Sequence, residues 1–141
     1  MATQHLDTVR NTRDENAEIV RRGYAAFNAA DLETLTKLFD ESASWHTPGR
    51  GILAGDRKGS DAIFAHFGRY GGETGGSFKA DLRHVLADDD GRVIAMHHNS
   101  AKRKGKRLEA DCCIVFEIKD GLVVDGREYF YNLHAWEEFW S

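Results

Sequence analysis

A four-strand meander is written in FKADLRHVLADDDGRVIAMHHNSAKRKGKRLEADCCIVFEIKDGLVVDGREYFYN, residues 78–132. The strands read as Phe78 to Ala87, Arg92 to Lys102, Lys106 to Lys119 and Leu122 to Asn132. Asp88-Asp89-Asp90-Gly91, Lys104-Gly105 and Asp120-Gly121 separate them. Connections this short join antiparallel neighbours, because parallel strands need a long crossover. The three aspartates lack the downstream glutamate of a calcium loop and read as a plain turn.

Alternation along each strand assigns the faces. Phe78, Leu82 and His84 face in, opposite Lys79, Asp81 and Arg83. Ile114, Phe116 and Ile118 face in, opposite Glu117 and Lys119. Val124, Gly126, Glu128, Phe130 and Asn132 share the inner face of the last strand. On the second of these strands either Val93, Ala95, His97, Asn99 and Ala101 or Ile94, Met96, His98 and Ser100 face in. A slip of one residue would reverse any such assignment.

Upstream, residues 1–13 read as a loose arm. From Asp14, the positions Ile19, Val20, Gly23, Tyr24 and Phe27 recur at helical spacing. Asn28-Ala29-Ala30-Asp31 breaks that helix, and Asp31 is placed to cap the next, which buries Leu32, Leu35, Leu38 and Phe39. Ala43 to Thr47 reads as a strand, inside Ser44-Trp45-His46-Thr47-Pro48-Gly49, which holds the only proline of the chain. A glycine-rich loop, Gly49 to Gly59, precedes a helix capped by Ser60 that turns Ile63, Phe64 and Phe67 inward. The run Gly71 to Gly76 ends that helix and lacks the Lys-Ser/Thr of a phosphate loop. His134 to Trp140 is a short aromatic tail, expected to cap the open end of the fold or pack on a second subunit.

Composition fits one domain: 141 residues, 41% hydrophobic, net charge −4. That charge predicts neither nucleic acid nor an anionic membrane as partner. The basic run Lys102 to Arg107 is broken by Gly105 and reads as a solvated hairpin tip. No apolar run approaches a membrane span, and Met1 to Arg13 lacks the apolar stretch of a signal peptide, so a cytoplasmic location is expected. The adjacent Cys112 and Cys113 should point to opposite faces and read as packing residues, not as a disulfide.

Two helices, a short strand, a third helix and four antiparallel strands make an order that resembles the nuclear-transport-factor-2-like superfamily, and more closely its SnoaL-like branch. The residues that carry the likeness are Tyr24 to Leu32, Leu38-Phe39, Ser44 to Gly49, Ala54-Gly55, Gly75 to Phe78, Asp120 to Val123 and Ala135 to Trp140. The resemblance implies an α+β fold, a cone in which three N-terminal helices pack on a curved, mainly antiparallel sheet around an apolar pocket. It implies residues 14–141 as a single SnoaL-like domain after the arm 1–13. Fold alone does not choose a function, since members include cyclases, isomerases, epoxide hydrolases and dehydratases.

Aligned with ketosteroid isomerases, Gly23, Thr47 and Ile114 stand where the tyrosine, the base and the acid belong, so steroid isomerisation is not expected. Arg107 and Asp111 lack the close spacing of epoxide hydrolases. SnoaL-type cyclases keep an aspartic general acid on the last strand, and Glu128 lies near that position. The alignment also turns His97 and Asn99 inward. The resemblance then implies Glu128 as acid or base with His97 and His84 assisting. Trp45, Thr47, Tyr24, Phe27, Phe67, Asn99, Phe116 and Phe130 would form the wall. His46, alternating with Trp45 and Thr47, should point away, toward the surface or a dimer partner.

A carboxylate in such surroundings must pair, hydrogen-bond or take up a proton. Proton transfer on a small apolar carbonyl compound and a buried His–Glu pair that only satisfies itself both remain open. No metal and no cofactor is expected. The partners implied are a small apolar molecule and a second copy of the chain. A non-catalytic binding protein and a dimeric interaction module are the alternatives on the same scaffold.

Overall fold

The computed structural model describes the backbone of residues 2–141 and the side chains of residues 12–141. Its elements are α1 (Ala2–Asn28), α2 (Leu32–Leu38), β1 (Phe39–Thr47), β2 (Gly55–Lys58), α3 (Ser60–Gly72), β3 (Lys79–Ala87), β4 (Arg92–Arg103), β5 (Lys106–Lys119), β6 (Leu122–Phe130) and α4 (Leu133–Trp140). The strands form one six-stranded sheet in the order β2-β1-β6-β5-β4-β3. All neighbours are antiparallel except β1 and β6. The helices pack on the inner face, and the α+β architecture expected from the sequence is the one observed.

The hairpins follow from their turn residues. Lys104 and Gly105 have φ of 51° and 75°, and Asp120 and Gly121 have 52° and 80°. Two successive left-handed residues make the turn whose twist matches that of paired strands. Asp31 caps α2 as its position suggested, accepting from the Thr34 amide at 3.1 Å and from its hydroxyl at 2.6 Å. Gly59, not Ser60, is the N-cap of α3, and no side chain bonds there.

Several boundaries differ from expectation. The backbone of residues 2–13 is helical and continuous with α1, not a loose arm; the side chains of residues 1–11 lie outside the described residues. The glycine loop contains β2, which pairs with β1 from Ser44 to Thr47. The aromatic tail is the helix α4, capped by Asn132, whose side chain accepts from the Ala135 amide at 3.0 Å. Trp136, Phe139 and Trp140 are all core residues. The basic hairpin tip is only partly solvated. Buried Arg103 donates from Nη1 to the carbonyls of Phe139 and Ser141, and Lys106 donates to those of Glu138 and Ser141. These cations meet the backbone oxygens at the end of α4, where the helix dipole favours positive charge.

Two bulges change side-chain faces. Between Leu82 and His84 the register against β4 shifts, with Leu82 opposite His97 but His84 opposite Met96. Arg83 is the extra residue, and beyond it the faces reverse. Leu82 packs on the core, as do Val85 and Ala87, while His84 is exposed. The second bulge lies between Glu117 and Ile118, where Ile118 pairs with Val123 and Glu117 with Asp125. Val123, not Val124, is therefore the buried residue at the start of β6. Gly126 and Glu128 keep the inward face expected of them.

The last turn of α1 is tied to the edge strand β3 chiefly by the side chain of Asn28, with Lys79 Nζ donating to the Asn28 carbonyl at 3.3 Å. Asn28 donates from Nδ2 to the Ala80 carbonyl at 2.8 Å and accepts the Ala80 amide at 3.0 Å. It acts as a one-residue neighbour for that strand. Asn28→Ala is expected to lower stability by about 1–3 kcal/mol in urea denaturation, since both Ala80 groups lose a partly buried partner.

Candidate functional site

The inner face of the sheet, α1 and α3 enclose a cavity of about 70 Å3. Tyr24, Phe27, Trp45, Phe67, His97, Asn99, Phe116 and Glu128 line it. Of the remaining expected residues, Thr47 is buried but does not line the cavity, and Phe130 stacks on Trp136 with ring centroids 4.1 Å apart. His84 lies on the outer face for the reason given above. Tyr70 and Trp136 line the cavity without having been expected there. The periodicity of α3 contained the signal for Tyr70, which stands three residues beyond Phe67 on the same stripe as Ile63.

Glu128 is 6% exposed and is held by side chains from β1 and α3. Its Oε1 accepts from Trp45 Nε1–H at 2.7 Å, from the Tyr70 hydroxyl at 3.1 Å and from the Thr47 hydroxyl at 3.3 Å. Among the described residues, only the Tyr70 hydroxyl lies within hydrogen-bond distance of Oε2, at 3.4 Å. Trp45 reaches this position because Gly126 stands opposite it in the parallel pair. A Cβ at Gly126 would overlap the six-membered ring of the indole. Residues 126 and 128 thus work together, one making room for the donor and the other receiving it.

Burial pushes the Glu128 carboxyl up to about 7, although the hydrogen bonds from Trp45, Tyr70 and Thr47 pull the other way. The neutral acid needs an oxygen to carry its proton. Oε1 already accepts three donors, so the proton belongs on Oε2.

His97 takes the opposite direction. Its Nδ1 lies 2.6 Å from the Tyr24 hydroxyl, beneath an edge-on ring contact. Burial lowers its pKa to about 4, against a side-chain hydrogen bond with Asn99 that raises it. The Tyr24 phenol is held well above its ordinary range, chiefly by burial, so it stays protonated and donates to neutral Nδ1. Between these two limits a carboxylic acid and a neutral imidazole line the same cavity. The usual order of the two pKa values is inverted.

Behind Glu128, Thr47 Oγ1 lies 3.1 Å from Nε2 of His66, a buried residue of α3. Burial and the charges of Arg57 and Arg69 push that imidazole down to about 3. On the outer face His46 sits between Asp56 at 2.8 Å and Asp125 at 2.7 Å, away from the cavity as its parity predicted. Among the described residues, no three or more His, Cys, Asp or Glu side chains gather in a way that could hold a metal ion.

These shifts link to stability with opposite signs. Glu128 binds its proton more tightly folded than unfolded, so its contribution is full below the ordinary glutamate pKa and is lost as pH rises to about 7. His97 and His66 are depressed, so their contribution is lost as pH falls below the ordinary histidine range. The stability difference between the wild type and Glu128→Gln isolates the first effect. It should shift against the wild type by a few kcal/mol between about pH 4.5 and pH 7 and be flat outside that window. Urea titrations across that range check it.

Comparison with known proteins gives the class. The sequence pattern of the SnoaL-like domain matches residues 20–126. An uncharacterized protein of Mycobacterium tuberculosis is 33% identical over 130 residues, 92% of this chain and 99% of that one. The chain belongs to the SnoaL-like domain family. Among solved structures, Bal32a from a soil-derived mobile gene cassette is 68% identical, with a TM-score of 0.91 over 92% of this chain and 99% of its own. TerC, co-crystallised with polyporic acid, shares the fold at 20% identity, with a TM-score of 0.77 over 89% of this chain and 97% of its own. No described helix is long and apolar enough to cross a membrane.

Proposed function

We propose that the chain is an acid–base catalyst for a small, mainly apolar carbonyl compound, which it isomerises, cyclises or dehydrates with its own side chains. The observation that carries this reading is the placing of the Glu128 carboxyl, buried in the wall of the cavity with its Oε1 accepting three donors, which leaves Oε2 as the oxygen for a proton. Burial pushes that carboxyl up to about 7. In this reading Oε2 protonates the carbonyl oxygen of the ligand. The Tyr24 hydroxyl donates its hydrogen bond to His97 Nδ1 and its oxygen retains lone pairs for a donor on the ligand, so the Tyr24–His97 couple takes up or orients the proton that leaves. Aromatic side chains from α1, α3 and the sheet supply the apolar wall.

The cavity is smaller than the ~300–1,000 Å3 typical of small-molecule pockets. An occupant larger than a few atoms must displace wall side chains, and compact ligands are favoured. A thermal-shift panel of small ketones and lactones tests the reading. Carbonyl ligands should stabilise the protein more at about pH 6 than at about pH 9, because only the neutral acid donates to them. A panel with no stabilising ligand, or with stabilisation rising with pH, overturns it. A non-catalytic binding protein would show the same pH dependence without turnover.

A further inference from the structure

We infer that the Asn99 amide is the specificity-determining donor of the cavity. It binds a second oxygen of the ligand, so the compound taken up is a compact diketone rather than a simple ketone. The inference deepens the reading above and rests on the acid role proposed for Glu128.

Tyr24, Tyr70, His97, Asn99 and Glu128 are the polar side chains of the lining. The Tyr24 hydroxyl donates to His97, and that of Tyr70 donates to Glu128. Asn99 is 2% exposed, and among the described residues its side chain has one partner, His97. The direction of that bond follows from the ring. Nδ1 accepts from Tyr24, so the neutral imidazole carries its proton on Nε2 and donates there. A primary amide accepts only through its oxygen, so Oδ1 faces the ring and Nδ2 is left with two N–H donors. A buried donor without an acceptor is costly, and buried polar groups in folded proteins find partners. The cavity is where such an acceptor can stand. Ala80 on β3 and Ala110 on β5 flank Asn99 in the sheet, and their methyl groups offer neither a partner nor bulk.

The oxygen that meets Asn99 is not the one that Glu128 protonates. Glu128 pairs with Ile114, which pairs with Ala95. Asn99 stands four residues further along β4, about 13 Å along the strands at the usual rise. Side chains so far apart reach opposite ends of one ligand. A hydroxyl at Asn99 would bring a proton that needs an acceptor of its own, whereas a carbonyl oxygen only accepts.

The test compares cyclohexane-1,4-dione with cyclohexanone, titrated into the protein at about pH 6 and about pH 9 and followed by NMR. The two rings make the same demand on the wall and differ in one oxygen. The wild type should prefer the dione at about pH 6. Asn99→Leu should reduce that preference, the ratio of the two Kd values, by about tenfold or more, because the second oxygen then loses its water without gaining a donor. In the wild type, the Nδ2 proton resonances of Asn99 should move downfield with the dione and hold with cyclohexanone, a readout that needs no variant to fold. An unchanged ratio, or resonances that respond alike to both rings, overturns the role of Asn99 and leaves the acid role standing. Binding of neither ring, or binding no tighter at about pH 6 than at about pH 9, overturns the acid role and this inference with it.

Discussion

Replacing Glu128 by glutamine is expected to reduce turnover of a carbonyl substrate by about 10²–10⁴-fold, the usual worth of a positioned general acid. The amide has the size of the carboxyl, and its oxygen can still accept from Trp45, Tyr70 and Thr47. Ligand affinity should therefore stay within a few-fold, and loss should appear in kcat. The wild-type rate should hold while Glu128 carries its proton and fall as pH rises through about 7. It should also fall at the acid end near pH 4, where His97 charges and no longer accepts from Tyr24. A variant with a rate within twofold of the wild type would place the chemistry elsewhere.

The second large effect is expected at a residue with no side chain. Gly126→Ala puts a methyl group into the space of the Trp45 ring. The backbone at this position is open to any residue, so the penalty is one of packing alone, about 1–3 kcal/mol. The indole must move, and its N–H then leaves Glu128 Oε1. Both tryptophan fluorescence and the Glu128 titration should respond, the latter moving further up as the anion loses its shortest hydrogen bond. An alanine variant with wild-type stability and an unmoved titration would show that the indole is held by something other than the space over β6.

How much of this was legible depended on how local each cause is. The turns at Lys104-Gly105 and Asp120-Gly121 gave the meander, because two-residue connections of that composition are set by the turn itself. The inward face of β4 was written as two equivalent alternations, and the family likeness settled it in favour of His97 and Asn99. The two bulges were illegible. Arg83 and Val124 look like ordinary strand residues, and only the pairing with β4 and β5 shows them to be extra. His84 was misplaced for that reason alone. Thr47 was expected on the wall because parity gives a face but not a depth. It points inward and is covered by Glu128. His66 and Tyr70 were missed where the helical stripe was followed only as far as Phe67. A histidine there looks polar enough to be on the surface, and nothing in a single sequence announces a threonine partner nineteen residues away.

Asn28 carries a consequence that has nothing to do with the cavity. An open sheet ends in two strands whose unpaired amides and carbonyls can template the addition of another chain. Here one end is β2, four residues long, and the other is β3, nine residues long. Along β3, Asn28 occupies the amide and carbonyl of Ala80, which an incoming strand would need in order to register. A single asparagine at the end of a helix thus removes one residue's open amide and carbonyl from that edge. Its loss should show first as concentration-dependent turbidity on storage, before any defect in ligand binding.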